Sequence, residues 1–275
     1  STVSYDWATN GDNNAFTNAT VGGVTITQNA PENFGSSSGV GNFQTSTGAL
    51  GGATGYYRLS MDAPGATDSE VIGDRVQFNF SPPVHNLSFA LLNIDLGADF
   101  EDQGSVFATD SLGNPVPFRL VEEVGPNVDI AGNTAEGDVY VPTDSSTAAN
   151  ANVRFDGPVA SLTVEYTQGD QPLSGAGPQR MGISDFSFCA FDYGDAGPSY
   201  GTELSGDGAR HVLGARNLYL GVNPPDGESG TSNSSTDATI DRFHCSMFPP
   251  SPCMISPRVM IPTRISSSTT GRRFT

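Results

Sequence analysis

The sequence predicts an all-β chain, a jelly-roll-like two-sheet β-sandwich followed by a small, incomplete second module. Three observations predict it. From Ser1 to about Cys189, short apolar runs alternate with polar residues at period two, the pattern of strands with one face in a core. Clusters of Gly, Asn, Asp, Ser and Pro separate the runs, and 33 Gly with 19 Pro supply turns without reaching a low-complexity level. Finally, 16 Phe and 8 Tyr offer bulky core material that pleated sheets accommodate, although only 36% of residues are hydrophobic. At 275 residues the chain exceeds the usual single-domain size, so a second unit is expected.

Taken in order, the expected strands are 21–27 (VGGVTIT), 74–80 (DRVQFNF), 86–92 (NLSFALL), 104–108 (GSVFA), 115–120 (PVPFRL), 153–155, 161–166 (SLTVEY) and 182–188 (GISDFSF). In DRVQFNF the alternation places Val76, Phe78 and Phe80 on one face, and in SLTVEY it places Leu162, Val164 and Tyr166 together, as half-buried strands require. About eight short strands over 189 residues fit two packed sheets. Gly51-Gly52-Ala53-Thr54-Gly55 reads as a turn rather than a phosphate loop, because no Gly-Lys-Ser/Thr ends it and no helix pattern follows.

After Cys189 the texture changes, and a second module is expected over residues 190–241. From Arg242 it changes again: residues 242–275 hold five of the twelve Arg, three of the five Met, two of the three Cys and no acid. Without this tail 30 acids face 7 Arg, a net charge of −23. The abrupt break is read either as a basic linker or as a frame-shifted or vector-derived end, the second being preferred.

The stretch Phe191-Asp-Tyr-Gly-Asp-Ala-Gly-Pro-Ser-Tyr-Gly-Thr, with Gly208-Ala-Arg-His-Val, Leu218-Tyr-Leu-Gly and Asp226-Gly-Glu-Ser, resembles the GEVED-type module of large bacterial surface proteins. In that module an Asp-rich ending follows; here Thr239-Ile240-Asp241 reaches its threshold and Arg242 departs from it, which implies an incomplete module. The region before it resembles, more loosely, the β-rich domain that precedes such modules. The residues that carry this are Leu87-Ser-Phe-Ala-Leu-Leu-Asn-Ile-Asp, Val106-Phe-Ala-Thr-Asp-Ser-Leu-Gly-Asn-Pro-Val, Phe155-Asp-Gly-Pro-Val-Ala-Ser-Leu-Thr-Val-Glu-Tyr and Gly182-Ile-Ser-Asp-Phe-Ser-Phe-Cys. The resemblance implies a secreted or cell-surface, adhesin-like role and carries no catalytic residues.

Charge narrows the partners. Against 30 acids stand 12 basic residues, all Arg, for a net charge of −18. Such a surface repels nucleic acid and anionic membranes, and divalent cations remain plausible partners. The acidic, Lys-free composition fits a salty habitat and equally a genome that favours Arg codons. No apolar stretch is long enough to cross a bilayer, so no membrane insertion is expected. Cys189, Cys245 and Cys253 form no CxxC or CxH pattern, so neither a zinc site nor a redox motif is expected.

The strongest local candidate is Asn93-Ile-Asp-Leu-Gly-Ala-Asp-Phe-Glu-Asp102, in which Asp95, Asp99, Glu101 and Asp102 are spaced to converge on Ca2+. The competing reading is a solvated acidic turn. Asp6, Asp12, Asn13 and Asn14 form a weaker candidate of the same kind. Tyr56 and Tyr57 are candidates for stacking on a sugar, because adjacent residues of a strand point to opposite faces and one ring should therefore be exposed. Nucleophilic catalysis would need His85, His211 or His244, and none neighbours a Gly-x-Ser-x-Gly elbow. The expected function is a non-enzymatic, adhesin-like domain that recognises carbohydrate, with Ca2+ assisting; the alternatives are a structural spacer and a secreted glycoside hydrolase. A fixed-period repeat, which a spacer would show, is not found in residues 1–241.

Overall fold

The structure, a computed structural model, describes residues 2–34, 37–38, 42–63, 73–170, 176–189, 191–193 and 210–212. The chain divides into two units, Ser1–Arg242 and Phe243–Thr275. All of the second unit lies outside the described residues. So do most of the expected module at 190–241 and the whole expected tail at 242–275. Among the described residues the protein is all-β, and every strand pairing is antiparallel. The one helical turn, Trp7–Asn10, is a 3-10 turn whose N-cap Asp6 accepts from the Ala8 N–H at 2.7 Å.

The first part of the chain forms β1 (Val3–Tyr5), β2 (Asn14–Ala15), β3 (Asn18–Val21), β4 (Val24–Gln28), β5 (Glu32–Phe34), β6 (Ser37–Ser38), β7 (Gln44–Leu50), β8 (Ala53–Ala63) and the long β9 (Gly73–Leu92). The expected strand at 21–27 is in fact a hairpin: Gly22 and Gly23 take φ of 57° and 78°, reversing the chain between β3 and β4. Gly51 and Gly52, at 55° and 73°, do the same between β7 and β8, as the turn expected there requires.

The rest forms β10 (Asp102–Thr109), β11 (Phe118–Glu122), β12 (Val128–Ala131), β13 (Thr134–Gly137), β14 (Ala151–Phe155), β15 (Val159–Gln168), β16 (Ala176–Ile183), β17 (Phe186–Cys189), β18 (Phe191–Tyr193) and β19 (Arg210–Val212). The expected strand at 182–188 is two strands, because the chain breaks at Ser184-Asp185. There Asp185 accepts from the Trp7 N–H at 3.0 Å and the Ser184 carbonyl accepts from Trp7 Nε1 at 2.9 Å. Strands β18 and β19, which lie in stretches that carry the family resemblance, pair with each other, Asp192 opposite His211.

Two sets of pairings share β9. Its first half pairs with β4, β5 and β15, and β15 continues the set through β10, β13 and β12. Its second half pairs with β14, β16 and β17; β14 leads on to β11, β16 to β8 and β7, and β17 to β1. The residues read as two strands, 74–80 and 86–92, are therefore one strand that serves both sets. The handover falls at Pro82-Pro83, where no N–H is available for a ladder. Just beyond, Asn86 takes φ of 51°. Before it Val76, Phe78, Phe80 and Val84 face the core, and after it Leu87, Phe89 and Leu91 do, so the buried parity switches from even to odd.

Rings from the two sets meet in the core. Phe78 of the first set lies 5.3 Å from both Tyr57 and Phe186 of the second, with edge-to-face geometry. Trp7, the single tryptophan, sits fully buried among Tyr5, Phe16, Tyr57, Phe78 and Phe186, with ring centroids at 5.0–5.5 Å.

Candidate functional site

The Asn93–Asp102 loop does not gather its carboxylates as its spacing suggests. Leu96 bridges Glu101 and the Asp102 N–H donates to the Asp95 carbonyl at 3.0 Å, so the segment is a narrow antiparallel ribbon. Adjacent residues of an extended ribbon point to opposite sides, which separates Glu101 from Asp102. Asp95 and Asp102 turn inward and are buried, whereas Asp99 is exposed. The four therefore form no common cation site. Among the described residues one group of three carboxylates converges, and it joins Glu101 to Glu136 and Asp170, with ligand atoms within 4.8 Å of one another. Those three could supply part of the six to eight oxygens that Ca2+ takes. The weaker candidate near the start is turn chemistry: Asp12 accepts from the Thr47 N–H at 3.1 Å, and Asn13 accepts from Arg58 at 2.8 Å.

Tyr56 and Tyr57 lie on β8 as expected, yet neither ring is exposed. Tyr57 enters the main core, and Tyr56 enters a second cluster with Leu50, Ala90 and Leu92 on the opposite face of the sheet. Here both faces of β8 are covered, so the pair offers no stacking platform.

Asp95 and Asp102 instead form the wall of a pocket of about 480 Å³ beside β8 and β16. The Asp102 carboxylate accepts a short hydrogen bond from the Tyr166 hydroxyl and faces the Asp95 N–H at 3.5 Å. Asp95 Oδ2 accepts from the Val141 N–H at 3.2 Å. Burial holds the Asp102 carboxyl well above the usual carboxylate range, with Tyr166 opposing and the Asp95 charge adding to the rise. The same burial raises Asp95, against its bond from Val141. The pocket wall is consequently less anionic than its carboxyl count implies.

Two polar atoms in this wall have no hydrogen-bond partner, Oε1 and Nε2 of Gln179, a β16 residue only 5% exposed, and beside them the Asp95 and Asp102 carboxyls share a hydrogen bond. Leaving such atoms buried and unpaired costs about 1–3 kcal/mol each. Above them the rim carries Tyr140, 65% exposed, and Arg180, which donates to Asp144 at 2.5 Å. The pocket thus combines the unpaired donor and acceptor of the Gln179 amide in its wall with an exposed aromatic ring at its rim. Gln179, Tyr140 and Arg180 are remote in sequence from the acidic loop; the β9–β16 pairing, with Asn93 Nδ2 donating to the Arg180 carbonyl at 3.4 Å, and the segment after β13 bring them to it.

Compared with family models, with curated proteins and with solved structures, the chain matches none.

Proposed function

We propose that the chain is a secreted, non-catalytic, adhesin-like surface domain, built on a jelly-roll-like two-sheet sandwich, that binds carbohydrate in the pocket bounded by Asp95, Asp102, Gln179 and Tyr140. The observation that carries this reading is the set of unpaired buried atoms beneath an exposed ring. A sugar hydroxyl both donates and accepts, so vicinal hydroxyls can satisfy Oε1 and Nε2 of the Gln179 amide together. The apolar face of the same ring can stack on Tyr140. Ca2+ enters this reading at Glu101, Glu136 and Asp170 as a stabiliser of the fold and not as a ligand-bridging ion. Among the described residues no helix is long and apolar enough to cross a membrane, which fits a domain outside the bilayer and says nothing of a β-barrel.

Binding at one such pocket is expected to be weak, with a dissociation constant near 1 mM, about −4 kcal/mol, so that adhesion depends on many copies. The test is a glycan array probed with multivalently displayed protein, alongside a reducing-sugar release assay on the same glycans. Gln179→Leu should lose array binding by about tenfold or more without loss of thermal stability, because an unpaired amide contributes nothing to the fold. A blank array would favour the spacer, release of sugar would favour the hydrolase, and a Gln179→Leu protein that binds unchanged would place the ligand elsewhere.

A further inference from the structure

A second surface, on β11, β14, β9, β17 and β1, carries a row of side chains in one register. Arg119 of β11 pairs with Arg154 of β14, Arg154 with Ser88 of β9, Ser88 with Ser187 of β17, and Ser187 with Ser4 of β1. Directly paired residues of adjacent strands point to the same side. Their chain neighbours Leu120, Val153, Phe155, Leu87, Phe89, Phe186 and Phe188 are buried, so the row faces outward. Neighbouring strands lie about 4.8 Å apart, which makes a straight polar track of about 19 Å across five strands. A groove of about 590 Å³ runs along it, between Arg119 and Arg154 at one end and Ser187 at the other.

The two arginines are the unusual part. Like charges directly opposite each other on a sheet are destabilising. In a chain of net charge −18 three arginines are well supplied with partners: Arg75 is held by Glu32 and Glu165 at 2.9 and 2.6 Å, Arg180 by Asp144, and Arg58 bonds Asn13. Arg119 and Arg154 share a single carboxylate, Asp156, at the long distances of 4.0 and 3.6 Å, with side chains 78% and 62% exposed. One positive charge is left over. The carboxyl in the groove lining, Asp185, is turned to the Trp7 N–H.

We infer that this track binds an acidic polysaccharide, its sulfate or carboxylate seated between Arg119 and Arg154 and its hydroxyls along the serines. A guanidinium pair offers the forked donors that an oxyanion takes, and Ser88, Ser187, Ser4 and Asn152 match a hydroxylated backbone. Two arginines suit a polymer with one charge on every sugar or two. A nucleic acid, with a phosphate at every nucleotide, would meet the net negative charge with too few cations to offset it.

The test is retention of the full chain on immobilised dextran sulfate, polygalacturonate, plain dextran and single-stranded DNA at low salt. Retention is expected on dextran sulfate or polygalacturonate, whichever oxyanion fits, and not on the other two. The double variant Arg119→Gln, Arg154→Gln should bind about tenfold more weakly, the product of two exposed ionic contacts. Asp156→Asn, which removes the competing carboxylate, should bind more tightly than the parent. All three substituted residues are exposed, and an unchanged thermal transition verifies that the variants fold. Equal binding by the double variant, equal retention on plain dextran, or retention on DNA alone would overturn the inference. Because none of these residues lines the Gln179 pocket, that pocket's array result is decided separately.

Discussion

Asp74 gives the sharpest test of the interior. It lies at the start of β9, is 0% exposed, and pairs across the sheet with Tyr166 on one side and Asn33 on the other. Asn33 Nδ2 donates to its Oδ1 at 2.7 Å, and the Asn42 amide and the Ser60 N–H also face the carboxylate. Burial pushes its carboxyl up to about 6 from the ordinary 3.8, the Asn33 bond opposing. The folded protein therefore binds more protons than the unfolded one between about pH 4 and 6. Stability from this group is fully present below about pH 4 and is lost as pH rises through about 6. At 1.36 kcal/mol per unit the loss is about 3 kcal/mol. Asp74→Asn keeps the acceptor for Asn33, cannot ionise, and replaces the other oxygen by an N–H that no longer accepts from Asn42 or Ser60, a loss of about 1 kcal/mol. The variant should be about 1 kcal/mol less stable than the parent at pH 4 and about 2 kcal/mol more stable at pH 7.5, so the two curves cross. Urea unfolding followed by the fluorescence of Trp7 reads this core directly. Asp95, Asp102 and Asp185, all raised by burial, tilt both curves alike and cancel in the difference. Parallel curves from pH 4 to 7.5 would refute the reasoning.

Two further outcomes are expected. A Cβ on Gly137 would lie 2.4 Å from the carbonyl carbon of Asp95 and 2.6 Å from its oxygen, so Gly137→Ala should cost at least about 2 kcal/mol in urea unfolding; Gly132→Ala, at φ of 64° with open space around it, should cost only about 1 kcal/mol. Millimolar Ca2+ against EDTA should raise the calorimetric transition, a tenfold excess over the dissociation constant contributing about 1.4 kcal/mol, and Glu136→Gln should abolish the shift; superimposable parent transitions would remove Ca2+ from the reading.

The all-β class was legible because period-two alternation survives wherever one face of a strand meets a core, as in Val76, Phe78 and Phe80. Boundaries were less legible. Val21–Thr27 has strand composition throughout, and only the Gly22-Gly23 pair marks the reversal within it. Strand β8 carries its alternation in Tyr57, Leu59 and Met61, but Tyr56 is buried on the other face as well, which breaks the one-sided pattern. The acidic loop was read as a Ca2+ site at Asp95, Asp99, Glu101 and Asp102, but spacing alone could not separate a curled loop from a ribbon, and the ribbon sends Glu101 away from Asp102. The Gln179 amide and the Arg119–Arg154 register had no local signal, since each exists only through pairing between distant strands.

The sharing of β9 has a consequence for modularity. A protein made of two independently closed sheets can be cut between them, and one layer can be exchanged while the other persists. Here the same continuous backbone closes hydrogen bonds for both, so any cut within residues 73–92 orphans edges on each side at once. Neither set of strands is a transferable building block. Among the described residues, a turn such as Asp110–Asn114 lies away from the common strand, and a graft there leaves it intact.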